Sequence, residues 1–293
     1  MSRLLLIAHG SRDPRYAASF DTLCLGLRRQ GHAAQVGHLD LCGPDVLEAA
    51  RRLARVVPEN PGEPIVAVPM FLNHGYHVAH DVPAVIGQAR AALASRARIL
   101  VAEPLGPDPL LVEAMEARLR ELGVWPGDPD TAVVLASAGT SDAAARGVLE
   151  AVAGRWARTG WHSVRVAYAA AAAPDAALAV ASARAAGARD VVIASYFLAP
   201  GLLADRIATA APRVPMAAPF ATPAQTDPAL PRLILRRAAE ACAADSARAA
   251  QAAGSVAESS AESAEPASAM NQDPHTRGGR PRPGVRSGSA LRR

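Results

Sequence analysis

The sequence contains no lysine, so all 31 basic residues in this chain of 293 are arginines. They are unevenly distributed, because residues 271–293 carry six Arg and one Asp and contribute +5 to a net charge of +4. Residues 1–270 therefore sum to −1, and the sequence pI of about 9.4 reflects the tail. A basic folded surface for nucleic acid is not indicated, and we expect no nucleic-acid partner.

Cysteine is scarce, and long apolar runs are missing. Cys24, Cys42 and Cys242 form no Cys-X-X-Cys pair, which predicts buried free thiols in a reducing compartment. No apolar run approaches the ~20 residues needed to span a bilayer. The short run Leu4–Ala8 is followed at once by His and Arg, unlike a signal peptide. We therefore expect a soluble cytoplasmic protein with no membrane partner.

Several motifs that would indicate other chemistries are absent. The sequence has no GxGxxG and no GxxxxGK[ST], so nucleotide binding is weakly supported. It has no GxSxG elbow, and nucleophilic catalysis is disfavoured. Aromatic residues make up 4% of the chain, but hydrophobic residues make up half of it. That fraction and the length suffice for two domains with separate cores.

Apolar runs of five or six residues alternate with amphipathic stretches, the pattern of a parallel sheet covered by helices on both faces. The predicted strands are 3–8, 34–39, 65–70, 98–103, 132–137, 163–168, 190–195 and 214–218. The predicted helices are 14–30, 44–57, 80–95, 109–122, 142–158, 174–186, 202–211 and 229–248.

The residues that follow these strands form two motifs that occur twice in the same order. In the first half the motifs begin at His9 and Phe71, 62 residues apart, and in the second half they begin at Ala138 and Phe197, 59 residues apart. Motifs that repeat at near-equal spacing predict a duplicated unit.

We therefore predict an α/β fold of two tandem Rossmann-like domains, each a four-stranded parallel sheet flanked by helices. The repeats span 1–125 and 130–245, and a Pro-, Gly- and Asp-rich linker joins them. From residue 246 onward large apolar side chains are almost absent, so the segment 246–293 is predicted to be disordered.

Only the first half has histidines at both strand ends: His9 in one motif, His74 and His77 in the other. Ligands of such sheets bind at the carboxyl ends of the strands, so these imidazoles can face one cleft. Imidazole serves both metal ligation and proton transfer near neutral pH. Two or three imidazoles without thiolates favour an open site that holds a metal transiently over a closed zinc site. The alternative is that the histidines are loop or capping residues.

Asp40 ends the second strand and has two open interpretations: a carboxylate arm of the same cleft, or a surface or helix-capping residue. His38 alternates to the other face of that strand and is interpreted as structural. His80 lies at a helix start, where we expect it to be exposed or to support the site indirectly.

The stretch VPMFLNHGYHVAHDVP (68–83) resembles the pattern VPxFLxxGxHVxxDxP of the sirohydrochlorin chelatases, the CbiX/SirB type of class II tetrapyrrole chelatase. The sequence HGSR (9–12) at the first strand end agrees with that family. The resemblance covers about residues 1–245, since the long form of the family is a tandem, chelatase-type duplication whose second half has lost its histidines. The segment beginning YFLAPG (196–201) looks like that degenerate copy.

The resemblance implies that His9 and His77 are the catalytic residues. It also implies that both are metal ligands, together with Asp40, which stands where the family often has Glu. The family's substrate-contacting loop falls on Leu72, Asn73, His74, Gly75 and Tyr76. Arg12, and Arg206 in the second repeat, are the candidates for binding substrate carboxylates.

The implied reaction is insertion of a divalent metal, Fe²⁺ or Co²⁺, into the anionic tetrapyrrole sirohydrochlorin, in siroheme or cobalamin biosynthesis. It requires neither ATP nor an organic cofactor, and the metal is a substrate. We expect a monomer, because the duplication supplies the second domain. The alternative function is that of a metal or tetrapyrrole carrier with no turnover.

Overall fold

Two parallel sheets form the centre of the computed structural model, which describes residues 1–58, 62–75, 77–94 and 96–262. In chain order the elements are β1 (Arg3–Ala8), α1 (Pro14–Arg29), β2 (Ala33–His38), α2 (Val46–Ala54), β3 (Ile65–Pro69), a π-helical turn (His77–Asp81), α3 (Val82–Leu93), β4 (Ile99–Val101), α4 (Pro109–Glu121), β5 (Thr131–Ser137), α5 (Ala143–Ala157), β6 (Ser163–Tyr168), α6 (Ala176–Ala185), β7 (Asp190–Ser195), α7 (Leu202–Ala210) and α8 (Ala229–Glu262). The predicted α/β class is confirmed.

The first sheet has the strand order β2-β1-β3-β4 among the described residues. β1 lies between β2 and β3, and Ile7 pairs with Gly37 on one side and with Pro69 on the other. Since all these strands are parallel, the residues that follow β1, β2 and β3 leave the sheet at the same edge. This register positions the candidate site.

The second sheet has three strands in the described part of the chain, in the order β6-β5-β7. The prediction of a fourth strand at 214–218 is wrong, because the structure has an isolated bridge between Met216 and Ile193 there instead. The Ile193 N–H donates to the Pro215 carbonyl, and the Ala217 N–H donates back to Ile193, each at 2.8 Å. Proline has no N–H to donate, and Pro212 and Pro219 flank the bridge on either side.

A single hydrophobic core joins the two predicted repeats. Strand residues alternate in direction, so Leu4 and Leu6 of β1 face the same central core as Val133 and Leu135 of β5. Leu5 of β1 faces a separate outer core beneath α2 and α3, and β5 has a corresponding outer core beneath α6 and α7. Residues Met1–Arg248 form one compact unit, within which the central core lies between the two predicted repeats.

The helix predicted at 229–248 is longer in the structure, because α8 continues to Glu262. Residues 246–262, predicted to be disordered, are therefore helical, and the remainder of the predicted tail, 263–293, lies outside the described residues. No helix in the described part of the chain, α8 included, combines the length and apolar character needed to cross a membrane.

His38 is buried at the end of β2, with 2% of its surface exposed. Its Nδ1 lies 3.3 Å from the Pro44 carbonyl, and its ring is 6.2 Å from those of both Tyr16 and Phe20. Burial lowers the pKa of His38 below its ordinary value, since the charged imidazolium would lose its hydration. The structure thus agrees with a structural role for this histidine.

We predict that His38 makes stability fall as the pH is lowered. Below the ordinary histidine pKa of about 6.5, the unfolded chain takes up a proton at this residue that the folded chain does not. At one pH unit below that pKa, the free energy of unfolding is therefore lower by at most about 1.4 kcal/mol. Urea unfolding at pH 7.5 and 5.5 should therefore show a smaller acid loss for His38→Phe than for the wild type. Equal losses in the two proteins would contradict the prediction.

Candidate active site

Two imidazole rings from different strand ends meet at the carboxyl edge of the first sheet. His9 directly follows β1, and His77 begins the π-helical turn after β3. Their ring centroids are 4.5 Å apart, and the ring planes are inclined at 84°. β1 and β3 are hydrogen-bonded neighbours, so the sheet itself brings the two histidines together.

Asp81 and Phe71 contact His77 and orient its ring. Its Nδ1 lies 2.5 Å from Oδ2 of Asp81, four residues further along the π-helical turn. The Phe71 ring is stacked on the imidazole at 6.2 Å, with the planes inclined at 20°. With the Nδ1 proton donated to the carboxylate, Nε2 carries the lone pair of the neutral ring. The side chain remains 45% exposed, so the ring is accessible to solvent.

The loop that carries His9 packs directly on the loop after β2. Gly10 has a φ of +100°, and a Cβ there would lie 1.8 Å from the carbonyl oxygen of Asp40. The Asp40 N–H donates to the His9 carbonyl at 2.9 Å. Beneath this loop, burial raises the pKa of Tyr16 to about 12, with smaller opposing contributions from the backbone of Gly10 and His9. The hydroxyl of Tyr16 is therefore a neutral neighbour of the His9 backbone.

Asp40 lies beside His9 through its backbone, whereas its carboxylate is on the surface. Its Oδ1 accepts the N–H of Leu41 at 2.7 Å. Within the described ranges, no three His, Cys, Asp or Glu side chains are grouped closely enough to hold a metal ion. The structure thus brings His9 and His77 together but does not complete a three-residue group with Asp40.

The predicted substrate loop follows β3 and begins partly buried. Leu72 packs against the central core, and its carbonyl accepts a hydrogen bond from the hydroxyl of Tyr196 at 3.1 Å. The side chain of Asn73 is half-buried, and its Oδ1 has no hydrogen-bond partner among the described residues. The start of the loop is therefore anchored to the second repeat.

Among the described residues of the remaining predicted substrate contacts, His74 and Arg12 are exposed to solvent. His74 is exposed, Gly75 accepts the N–H of the residue that follows His77 at 3.1 Å, and Tyr76 lies outside the described residues. Arg12, after β1, and Arg206, on α7, are both exposed. Both guanidinium groups are thus on the surface, where an anionic ligand can reach them.

Sequence reasoning assigned no role to Asp81 or Arg15. The signal for Asp81 was its position four residues after His77, the spacing at which side chains on a helical turn meet. Arg15 forms ion pairs with Asp13 at 2.6 Å and with Asp205 of α7 at 2.5 Å. The second pair links the two repeats, and no local pattern in the sequence indicates it.

The second repeat keeps the backbone of this site without its imidazoles. Gly139 has a φ of +91°, and a Cβ there would lie 1.9 Å from the Ala170 carbonyl, as at Gly10 and Asp40. Ala138 therefore stands at the position of His9, and Ala170 at that of Asp40. In the aligned motifs FLNHGYH (71–77) and FLAPGLL (197–203), leucine replaces the last histidine.

Comparison with known families detects the same duplication. The CbiX family model matches residues 3–122 and again residues 132–241. The chain belongs to the CbiX family. Among its relatives, the sirohydrochlorin cobaltochelatase of Methanopyrus kandleri is 30% identical over 142 residues, which are 41% of this chain and 96% of that protein. The sirohydrochlorin cobaltochelatase of Methanothermobacter thermautotrophicus is 29% identical over 132 residues, covering 40% and 90%.

Solved structures show that the whole duplicated fold is shared. SirB from Bacillus subtilis with Fe³⁺ aligns with a TM-score of 0.61 over 84% of this chain and 98% of that one, at 20% identity. SirB from B. subtilis subspecies spizizenii in complex with cobalt aligns with a TM-score of 0.61 over 82% and 95%, at 18% identity. The fold of this CbiX-family chain is thus shared with these structures over most of both chains.

We predict that Gly10→Ala destabilises the CbiX fold by about 1–3 kcal/mol, because the new methyl group meets the Asp40 carbonyl and the positive φ strains alanine. Urea unfolding measures the change. The matched control is Gly26→Ala in α1, where a Cβ meets nothing within 4 Å and alanine favours the helix. Equal stability of the two variants would contradict the packing described for the His9 loop.

Proposed function

We propose that this chain inserts a divalent metal, Fe²⁺ or Co²⁺, into sirohydrochlorin, with His9 and His77 as the catalytic residues. The observation that carries the proposal is the pair of imidazoles with ring centroids 4.5 Å apart, at positions where the second repeat has alanine and leucine. The names of the relatives, sirohydrochlorin cobaltochelatases, and the SirB structures with Fe³⁺ and with cobalt support it.

The chemistry needs two proton acceptors near the macrocycle. Sirohydrochlorin loses two pyrrole protons while one metal ion enters, and neutral imidazoles both accept protons near neutral pH and ligate Fe²⁺ or Co²⁺. The carboxylate of Asp81 accepts a hydrogen bond from Nδ1–H of His77, which leaves Nε2 as the basic nitrogen of that ring. His9 supplies the second imidazole from the adjacent strand end.

An incomplete ligand set suits a metal that must leave the protein. Two imidazoles bind a divalent ion less completely than the four ligands of a structural site, so the ion can pass to the macrocycle nitrogens. Asp40 is proposed as a third, mobile arm whose exposed carboxylate turns toward the metal. No step draws on ATP or on an organic cofactor, in keeping with the absence of nucleotide motifs.

The substrate carboxylates need cationic partners at the mouth of the cleft. Arg12 and Arg206 are the proposed partners, one from each repeat, because charge-assisted hydrogen bonds from guanidinium to carboxylate are strong and directional. The loop that begins at Leu72 is the proposed contact surface for the macrocycle. Sirohydrochlorin would then contact both halves of the chain.

We predict that His9→Ala and His77→Ala each lower the insertion rate by about 10²–10⁴-fold, the usual loss when a general base is removed. Anaerobic assays with sirohydrochlorin and saturating Fe²⁺ or Co²⁺ measure the rate. Near-full activity in either variant would remove that residue from the catalytic pair.

The controls separate this pair from its neighbours and the enzyme from a carrier. His74→Ala should be milder, and Asp40→Asn should raise the metal concentration needed for half-maximal rate with a smaller loss of turnover. If the wild type binds sirohydrochlorin or metal without forming the metallated product, the carrier function replaces the proposed one.

We predict that Asp81→Ala lowers the insertion rate by about 10–100-fold, because the loss of a carboxylate that orients an active imidazole usually has an effect of this size. The same assay measures it, with Asp205→Ala as the control, since among the described residues that exposed carboxylate pairs with Arg15 alone and Arg15 keeps Asp13. Equal activity of the two variants would show that Asp81 does not orient His77.

A further inference from the structure

A side chain of the second repeat holds the first repeat's substrate loop. Tyr196 directly follows β7 and is 2% exposed. Its hydroxyl donates a hydrogen bond of 3.1 Å to the main-chain carbonyl of Leu72, 124 residues earlier in the chain. This bond connects the end of a strand in the second sheet to the loop that leads to His77.

The contact between the Tyr196 hydroxyl and the Leu72 carbonyl is tightly packed. A Cβ at Gly106 would lie 2.3 Å from the Leu72 carbonyl oxygen and 2.8 Å from the Tyr196 hydroxyl, so only glycine fits there. The Gly106 N–H also donates to the Phe71 carbonyl at 3.1 Å. The ring of Tyr196 packs edge-on against fully buried Phe220, with centroids 6.0 Å apart. The loop thus has two adjacent carbonyls, those of Phe71 and Leu72, held by hydrogen bonds.

The second repeat has a hydroxyl group at this position, and the first repeat does not. Tyr196 and Met70 occupy equivalent positions, since each N–H donates to the neighbouring central strand at 2.8 Å, to Ala136 and to Ile7 respectively. Methionine has no group that can donate a hydrogen bond of this kind. Burial raises the pKa of Tyr196 far above its ordinary value, so the phenol keeps its proton and remains a donor.

We propose that Tyr196 is a positioning residue for metal insertion: its hydroxyl fixes the substrate loop through Leu72 and, through Phe71 stacked on the imidazole, fixes His77. This inference rests on the proposed function, because it assigns the loop to substrate binding. The second repeat, which lacks the imidazoles, thereby contributes to the reaction by holding the first repeat's loop in place.

The test is Tyr196→Phe in the full chain, read out by amide hydrogen exchange and by steady-state kinetics. Loss of a buried hydrogen bond corresponds to about tenfold in an opening equilibrium, so exchange at Gly106 should accelerate about tenfold while exchange within β1 and β5 stays unchanged. The kcat/KM for sirohydrochlorin should fall about two- to tenfold, because a smaller fraction of the protein has the loop and His77 in the active arrangement.

The matched control is Tyr168→Phe at the end of β6. Tyr168 is 3% exposed, and its hydroxyl has no hydrogen-bond partner among the described residues, so the same substitution should leave both readouts unchanged. Wild-type exchange at Gly106 in Tyr196→Phe would overturn the proposal, and so would faster exchange with an unchanged kcat/KM. If the wild-type chain inserts no metal, the proposed function fails, while the exchange comparison still decides whether Tyr196 holds the loop.

Discussion

The hydrogen-bonded pairing of β1 with β3 is the constraint on which the candidate site depends. The two strands are far apart in sequence, yet their register ends with Ile7 beside Pro69, two residues before His9 and eight before His77. The strands are almost wholly apolar because helices cover both faces of the sheet, so the first polar side chains occur where the strands end. The catalytic pair of the proposed reaction thus lies on a rigid, buried support.

The duplication preserves backbone more strictly than chemistry. Gly10 and Gly139 have nearly the same positive φ and the same close approach to a carbonyl oxygen of the next loop. A close backbone contact of this kind tolerates no side chain, so glycine persists in both copies. The residues just before them, His9 and Ala138, face no such restriction, and there the copies differ in the side chain on which the proposed reaction depends.

The sequence predicted the parts of the structure that depend on local patterns. The bounds of β1, β6 and β7 match their predicted ranges, and the meeting of the two strand-end histidines follows from parallel strands. The missing fourth strand of the second sheet could have been foreseen from Pro215 and its neighbours, but the apolar residues around them dominated the pattern. The extension of α8 to Glu262 was missed because composition, not helix periodicity, guided the prediction for residues 246–262.

What the sequence did not predict depends on how two sheets pack. The contact of Tyr196 with Leu72 joins residues 124 positions apart, and the pair of Arg15 with Asp205 joins residues 190 apart. Each half looks self-sufficient when its strands and helices are read alone, so the sequence suggested two cores where the structure has a central one shared by both. Local periodicity carries no information about that shared face.

The shared central core also removes a restriction that symmetry imposes on assemblies of identical parts. When two identical units meet about a twofold axis, every residue at the contact occurs twice and must suit both environments. In this chain the two partners are encoded separately, so one position of the contact can be Tyr196 while its counterpart is Met70, buried in the same core. The covalent link between the halves therefore permits one of them to specialise in support while the other keeps the reactive groups.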